Sequence, residues 1–139
     1  MNTKNKGQRK ETVCANELKK AGFFIAFKAC TVRRGPFFVG LDFGDVFDVV
    51  GIKSVPVIGY TRDIEFYRPH WKFISCSFVS HRAEKIAAVK AFKEKYGLHS
   101  LTPSNGLMEF EVHLWTPARY RGRGTARHFE QAKWEKVVV

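Results

Sequence analysis

The sequence predicts an α/β domain in which a mixed β-sheet is flanked by helices. Hydrophobic residues make up 45% and aromatic residues 14% of the 139 residues, enough to bury a core in one domain. Segments of alternating apolar residues follow one another along the chain, and two segments of helical periodicity lie among them. No internal repeat and no linker is visible, so residues 1–139 are interpreted as one domain.

The chain is expected to open with a flexible basic lead-in over residues 1–6 and a helix over residues 7–21. Lysines near the end of this helix and Gly22 after it are typical of a helix C-terminus. Alternating apolar side chains then predict a strand over residues 23–29. The residues that recur at three- and four-residue steps in the helix are Glu11, Cys14, Ala15 and Leu18.

Three of the four aspartates lie within residues 40–52, although acids are scarce in the rest of the chain. A basic turn over residues 33–36 comes shortly before this stretch. The stretch ends in the apolar run 49–52, which predicts a buried strand. Asp48 therefore stands at the head of a core strand, where a carboxylate is held rigidly, as a metal ligand should be.

The second half of the chain contains the clearest helix, over residues 81–96. It has a continuous apolar face, Ser80 as its expected N-cap and Gly97 as its stop. Residues 53–70 are interpreted as either a long hairpin or a loop. The other expected elements are a strand over 71–79, a loop over 98–106, a half-buried strand over 108–115, an Arg/Gly-rich loop over 118–127 and a final strand over 128–139.

The chain carries 24 Lys and Arg residues against 13 Asp and Glu residues, a net charge of +11. This excess attracts polyanions, and nucleic acid is the first candidate partner, with a merely basic surface as the alternative. A membrane is disfavoured, because no basic helix carries an aromatic stripe and no apolar run approaches the ~20 residues that span a bilayer. The polar N-terminus lacks an apolar signal region, so a cytoplasmic protein is expected.

Three segments carry a resemblance to a known family. A basic segment begins at Lys6-Gly7, Glu11 follows, and Gly22 lies eleven residues after Glu11. The run 47–52, Phe-Asp-Val-Val-Gly-Ile, is similar to a family strand that begins with a metal-binding aspartate. A strand, a Lys-rich helix and a strand ending at Trp115 come later. In these features the chain resembles the restriction-endonuclease-like PD-(D/E)xK nucleases, and among them the archaeal-type Holliday junction resolvases and related small phage and prokaryotic nucleases.

The resemblance implies a restriction-endonuclease-like sheet, Mg²⁺ or Mn²⁺ as cofactor, and hydrolysis of branched, Holliday junction-like DNA by a symmetric homodimer. It also implies the cytoplasm of a prokaryotic or phage-infected cell. One feature departs from the family, because Ser75 and Ser77 occupy the positions of an acidic residue and a lysine. His81, Arg82 and Lys85 stand at the start of the next helix, and whether a residue there takes over the role of the lysine is left open.

The candidate metal ligands are carboxylates, because Mg²⁺ and Mn²⁺ prefer oxygen ligands. Asp48 ranks first, Asp42 second and Asp45 third, since Asp45 and Asp48 are three apart and would face opposite sides of a regular strand. The resemblance adds Glu11 as a catalytic residue and ligand. An Asp-rich turn that caps its own backbone is the alternative for the aspartates. The other candidate catalytic residues are Ser75, Ser77 and Lys85.

Clusters of basic residues are the candidate phosphate contacts. The loop around Tyr120 combines arginines and glycines with a ring on which a base can stack, although a solvent-exposed hairpin tip is the alternative. The candidate nucleic-acid-binding residues are Lys4, Lys6, Arg9, Lys10, Arg33, Arg34, Arg82, Arg119, Arg121 and Arg123. The three cysteines lack zinc-site spacing and are interpreted as buried apolar residues. A nucleotide cofactor is disfavoured, because the chain has no Gly-rich phosphate loop.

These observations together predict a metal-dependent DNA endonuclease of the resolvase type. Two alternatives stay open. One is a catalytically inactive DNA-binding protein with a nuclease-like fold, which Ser75 and Ser77 favour. The other is a viral structural or assembly protein that holds nucleic acid through its charge.

Overall fold

The structure is a computed structural model that describes residues 3–56, 67–98 and 107–139, with the backbone alone over residues 3–9. The expected loop over 98–106 lies almost entirely outside these residues, as does the middle of the segment 53–70. Across the part of the chain that is described, no helix is both long and apolar enough to cross a membrane.

A five-stranded mixed sheet forms the centre of the fold, in the order β1-β4-β5-β6-β9. Neighbouring strands are antiparallel except β5 and β6, which are parallel and are joined through α2. The predicted α/β class with a mixed sheet is therefore confirmed. The elements are α1 (Thr3–Lys20), β1 (Phe24–Lys28), β2 (Cys30–Arg34), β3 (Phe37–Leu41), β4 (Val49–Pro56), β5 (Tyr67–Phe78), α2 (Arg82–Lys95), β6 (Leu107–Thr116), β7 (Arg119–Arg121), β8 (His128–Glu130) and β9 (Lys133–Val138).

The two helices pack on opposite faces of this sheet, because successive residues of a strand point to opposite sides. Val49 pairs with Ile74, and both pack under α1 with Cys14, Ala15, Leu18 and Phe23. The next pair, Val50 and Phe73, lies on the other face with Val89 of α2. The remaining buried members of this second cluster are Phe47, Phe110, Val112 and Leu114.

Two glycines allow close approaches that position Asp48. Gly51 lies under α1, where an added Cβ would stand 3.0 Å from Cδ1 of Leu18. Gly44 has a φ of +59°, and an added Cβ would stand 2.7 Å from the ring of Phe92 on α2. The backbone N–H and C=O of Phe43 and Phe47 bond each other across this turn. The turn is thereby held against α2 immediately before Asp48.

Several local predictions differ from the structure. Helix α1 begins at Thr3 rather than residue 7, because polar residues continue the helix and Gly7 costs it only about 1 kcal/mol. The segment around the basic turn 33–36 forms a separate hairpin of β2 and β3. Ser80 is not the N-cap, since a 3-10 turn over Val79–His81 precedes α2 and His81 takes the cap position without a side-chain bond.

The end of the chain also differs from the prediction. The Arg/Gly-rich loop begins with β7, which pairs with β8 in a second separate hairpin. The expected final strand over 128–139 is therefore split into β8 and β9. Strand β6 was predicted to be half-buried, yet His113 on its polar face is only 3% exposed. Helix α1 and Trp134 of β9 cover that face, which strand periodicity alone does not reveal.

Candidate acidic site

Asp48 stands immediately before β4 and is only 9% exposed. Its Oδ2 accepts a hydrogen bond of 2.6 Å from the backbone N–H of Cys76 on β5. Its own N–H donates to the carbonyl of Ile74, and its carbonyl accepts from the N–H of Ala29. Backbone contacts on both sides thus fix the carboxylate at the position that the sequence predicts, the head of a core strand.

The environment of Asp48 works against its negative charge. Burial and the charge of Asp42 raise the pKa of Asp48 to about 6, although the N–H of Cys76 and the charge of Lys85 act in the opposite direction. The ionised form of such a carboxylate is stabilised by any further positive charge that comes near it.

Glu11 on α1 belongs to the same electrostatic group. Burial, followed by the charges of Asp48 and Asp42, raises the pKa of Glu11 to about 7, and the charge of Lys28 partly offsets this. The fold therefore brings three predicted ligands, Glu11, Asp42 and Asp48, within electrostatic reach of one another. They come from a helix, a loop and the start of a strand.

Asp45 stands apart from this group. It has a φ of +59° in the turn beside Gly44 and is exposed to solvent. Its charge is not among the main causes that shift the pKa of Glu11 or Asp48. Aspartate tolerates this left-handed conformation better than most residues, which gives Asp45 a sufficient reason to stand in the turn.

The donor chemistry of Glu11, Asp42 and Asp48 fits a hard divalent cation, which prefers carboxylate oxygens. Their raised pKa values fit as well, because a cation would offset the repulsion that raises them. Within the described residues, however, no three His, Cys, Asp or Glu side chains converge into a preformed metal site. The group is a cluster of carboxylates with a deficit of positive charge.

The two serines that replace the expected acid and lysine lie on β5. Ser75 is fully buried, and its Oγ has no hydrogen-bond partner among the described residues. Ser75 lies in β5 between Ile74 and Cys76, the two residues whose backbone groups bond Asp48. Ser77 is half-buried two residues further along.

Lys85 approaches the site from α2 and is half-buried. Its positive charge lowers the pKa of Asp48, in opposition to burial and to the charge of Asp42. The candidate lysine of the following helix is therefore electrostatically coupled to the first-ranked ligand.

The predicted phosphate contacts fall into different environments. Arg82 is paired with Glu135, and Arg119 and Arg121 both face Glu130. Lys10 is buried, with its Nζ 2.8 Å from the ring centroid of Phe78. Exposed residues in the set are Arg33, Arg34 and Arg123, whereas the side chains of Lys4, Lys6 and Arg9 lie outside what the structure describes.

A second polar cluster, which the sequence pattern did not reveal, lies beside the acidic site. Cys14, Cys76 and His113 meet beneath α1, although they are far apart in the chain. The sequence pattern had led to the interpretation of the cysteines as buried apolar residues. Two sequence patterns could have indicated this cluster. Cys14 lies on the inner face of α1, and the alternation of apolar and polar side chains in β5 and β6 puts Cys76 and His113 on one face of the sheet.

The chain matches no model of a known protein family, no curated protein and no solved structure. Its function is therefore inferred from its own residues, and the likeness to restriction-endonuclease-like nucleases stays a prediction.

Proposed function

We propose that this protein is a metal-dependent DNA endonuclease with a restriction-endonuclease-like fold that acts on branched DNA. The observation that carries the proposal is the carboxylate group of Glu11, Asp42 and Asp48 in a chain of net charge +11. Three mutually repelling carboxylates, one of them buried, lower stability, and such groups with perturbed pKa values concentrate at functional sites.

The order of the elements supports the fold part of the proposal. A helix, three antiparallel strands, a crossover helix and a parallel strand follow one another as α1, β1, β4, β5, α2 and β6. The hairpin of β2 and β3 is inserted between the first two of these strands. Asp48 stands immediately before β4 and Ser75 lies on the neighbouring strand β5, in line with the order in which the resemblance expects the aspartate and the acidic residue.

A bound Mg²⁺ or Mn²⁺ would be held by Asp48 and Glu11, with Asp42 nearby, and would supply an activated water and neutralise charge on the phosphoryl group. Asp48 contributes a carboxylate that backbone hydrogen bonds hold in one orientation. Lys85 on α2 contributes a positive charge that acts on Asp48, and in the proposed complex it would stabilise charge on the phosphate. The hydroxyl of Ser75, which has no hydrogen-bond partner among the described residues, lies between the two residues of β5 that bond Asp48.

The separate hairpin of β2 and β3 supports nucleic acid as the partner. The rings of Phe37 and Phe38 are 71% and 56% exposed, and Arg33 and Arg34 precede them. Residues 30–41 contain no acidic side chain. Exposed rings provide stacking surfaces for unpaired bases and arginines contact phosphates, so the hairpin fits the unpaired bases of a branched junction. A symmetric homodimer would present two such hairpins and two acidic groups to one DNA molecule.

DNA binding without catalysis is the second candidate. It is favoured by Ser75 and Ser77, which stand where the resemblance expects an acid and a lysine. It is also favoured by the lack of three converging ligands within the described residues. The basic surface would serve this function equally well.

Cleavage of matched DNA structures distinguishes the two candidates. Four-way, flapped and linear duplex DNA of the same sequence would be incubated with Mg²⁺, with Mn²⁺ or with a chelator. We expect cleavage of a branched substrate that needs the metal, and binding that persists in the chelator. Binding with no cleavage of any substrate would favour the second candidate, and equal cleavage of linear and branched DNA would overturn the branched specificity.

Replacing Lys85 with glutamine tests whether α2 supplies the cation of the site. We expect cleavage to fall by about 100-fold, because a charged group aimed at the reacting phosphate is removed. Lys90→Gln is the matched control, since Lys90 lies on the same helix but is exposed. Single-turnover rates at saturating enzyme measure both variants, and equal rates for the two would show that Lys85 acts only through the net charge.

A further inference from the structure

Two cysteines that are 62 residues apart in the chain meet beneath α1. The Sγ atoms of Cys14 on α1 and Cys76 on β5 lie 3.1 Å apart. Both are free thiols, and Cys14 is 1% exposed whereas Cys76 is partly accessible. The third cysteine, Cys30, is exposed on the separate hairpin.

An imidazole and a carboxylate complete this cluster. Nδ1 of His113 lies 3.4 Å from Sγ of Cys14, and its Nε2 lies 2.7 Å from Oε2 of Glu111. Lys72 in turn lies 3.3 Å from Oε1 of Glu111. A proton on Nε2 bonded to Glu111 leaves Nδ1 directed at the thiol, where it can take up or return the thiol proton.

The cluster favours a thiolate on one sulfur only. The hydrogen bond from Cys76 and the contact with His113 lower the pKa of Cys14 to about 6, against the effect of burial. The S–H of Cys76 donates to Sγ of Cys14. A low-pKa thiolate with a second thiol in contact is the arrangement found in redox-active cysteine pairs. The alternative, two cysteines that merely fill space, would need neither the imidazole nor the carboxylate.

We propose that Cys14 and Cys76 form an oxidation site at which a hydroperoxide produces an intramolecular disulfide. The sulfur of Cys14 attacks the terminal peroxide oxygen, the O–O bond breaks, and the leaving alkoxide takes a proton from His113. The sulfur of Cys76 then attacks Cys14, loses its proton and releases water. Two thiols are oxidised, and one hydroperoxide is reduced to an alcohol and water.

The geometry needs only a small adjustment. The sulfurs must approach from 3.1 Å to about 2.05 Å, a movement of about 1 Å. Because the backbone N–H of Cys76 also holds Oδ2 of Asp48, that movement reaches the acidic group as well. The oxidation site itself does not depend on the proposed nuclease function.

Disulfide mapping of the full chain tests the proposal. Wild-type protein and a Cys30→Ser variant would be treated with hydrogen peroxide, alkylated, digested and examined by mass spectrometry. We expect a peptide pair linked through Cys14 and Cys76 in both proteins, which a dithiol reductant reverses. In Cys76→Ser we expect a sulfenic acid on Cys14 that dimedone traps, and in His113→Gln a rate of oxidation about 10-fold lower.

Alkylation of both Cys14 and Cys76 after peroxide treatment that has oxidised Cys30 would overturn the proposal. Linkage of Cys30 alone, between two molecules, would do so as well. The wild-type measurement stands even if a variant fails to fold, because it needs no substitution in the core.

Discussion

Asp48→Asn is expected to reduce metal-dependent cleavage of branched DNA by about 10³-fold or more while DNA binding is retained. Asparagine keeps the size of the side chain and an oxygen that can accept the bond from the N–H of Cys76. It removes only the negative charge, which is the property that the proposed metal site requires. The measurement combines single-turnover cleavage with a binding titration in the presence of a chelator.

Asp45→Asn is the matched control for this variant. It removes the same charge three residues away, and asparagine also tolerates the positive φ of that position. We expect its cleavage rate to stay close to that of the unaltered chain. Cleavage that survives in Asp48→Asn, or is lost equally in Asp45→Asn, would contradict the assignment of Asp48 as the principal ligand.

Without divalent cations, the free energy of unfolding is expected to fall as the pH rises from 4 to 6. The pKa of Asp48 is raised from 3.8 to about 6 and that of Glu11 from 4.5 to about 7 in the folded protein. The native state therefore binds more protons than the unfolded state in this window, and stability present near pH 4 is lost as the pH rises through these values. Asp48 alone accounts for a loss of roughly 2–3 kcal/mol in the free energy of unfolding. The contribution of Glu11 to this loss is smaller, because Glu11 is half-exposed and solvent screens its charge.

Other titrating groups leave this window largely undisturbed. The pKa of Glu111 is lowered from 4.5 to about 2 by its hydrogen bond to His113 and by Lys72, so its stabilising effect is lost as the pH falls from about 4.5 to 2, and it opposes the effect of Asp48 only at the lower edge of the window. The Cys14 and His113 cluster acts from about pH 6 upward. A measured decrease between pH 4 and 6 is therefore assigned to the carboxylates.

Urea unfolding followed by circular dichroism at several pH values measures this effect, with Asp48→Asn as the comparison. The variant is expected to lose most of the slope and to be more stable than the unaltered chain at pH 6. Added Mg²⁺ or Mn²⁺ is expected to raise the stability of the unaltered chain more than that of the variant. A flat profile, or one that rises from pH 4 to 6 in the unaltered chain, would show that the carboxylates are not under mutual repulsion.

Local pattern was sufficient for the elements that carry their own periodicity. The apolar run after Asp48, the alternation before Phe78 and the apolar face of residues 81–96 each predict their element, because a strand or helix that packs on a core must repeat its apolar side chains. The placement of Asp48 at the head of a buried strand follows from the same pattern. Local pattern was weaker at boundaries such as Thr3 and Ser80, where neighbouring structure decides the first residue.

Contacts between distant residues were decided by the tertiary structure. The pairing of β4 with β5 sets the backbones of Ile74 and Cys76 against Asp48, and the packing of α1 on the sheet brings Glu11 toward the same carboxylate. The same packing closes the polar face of β6 over His113 and joins it to Cys14. None of these contacts can be predicted from local sequence, because they depend on the register between strands and on the face that each helix covers. The sequence by itself therefore determined the elements and the first-ranked carboxylate, and the fold alone decided which charges and thiols surround it.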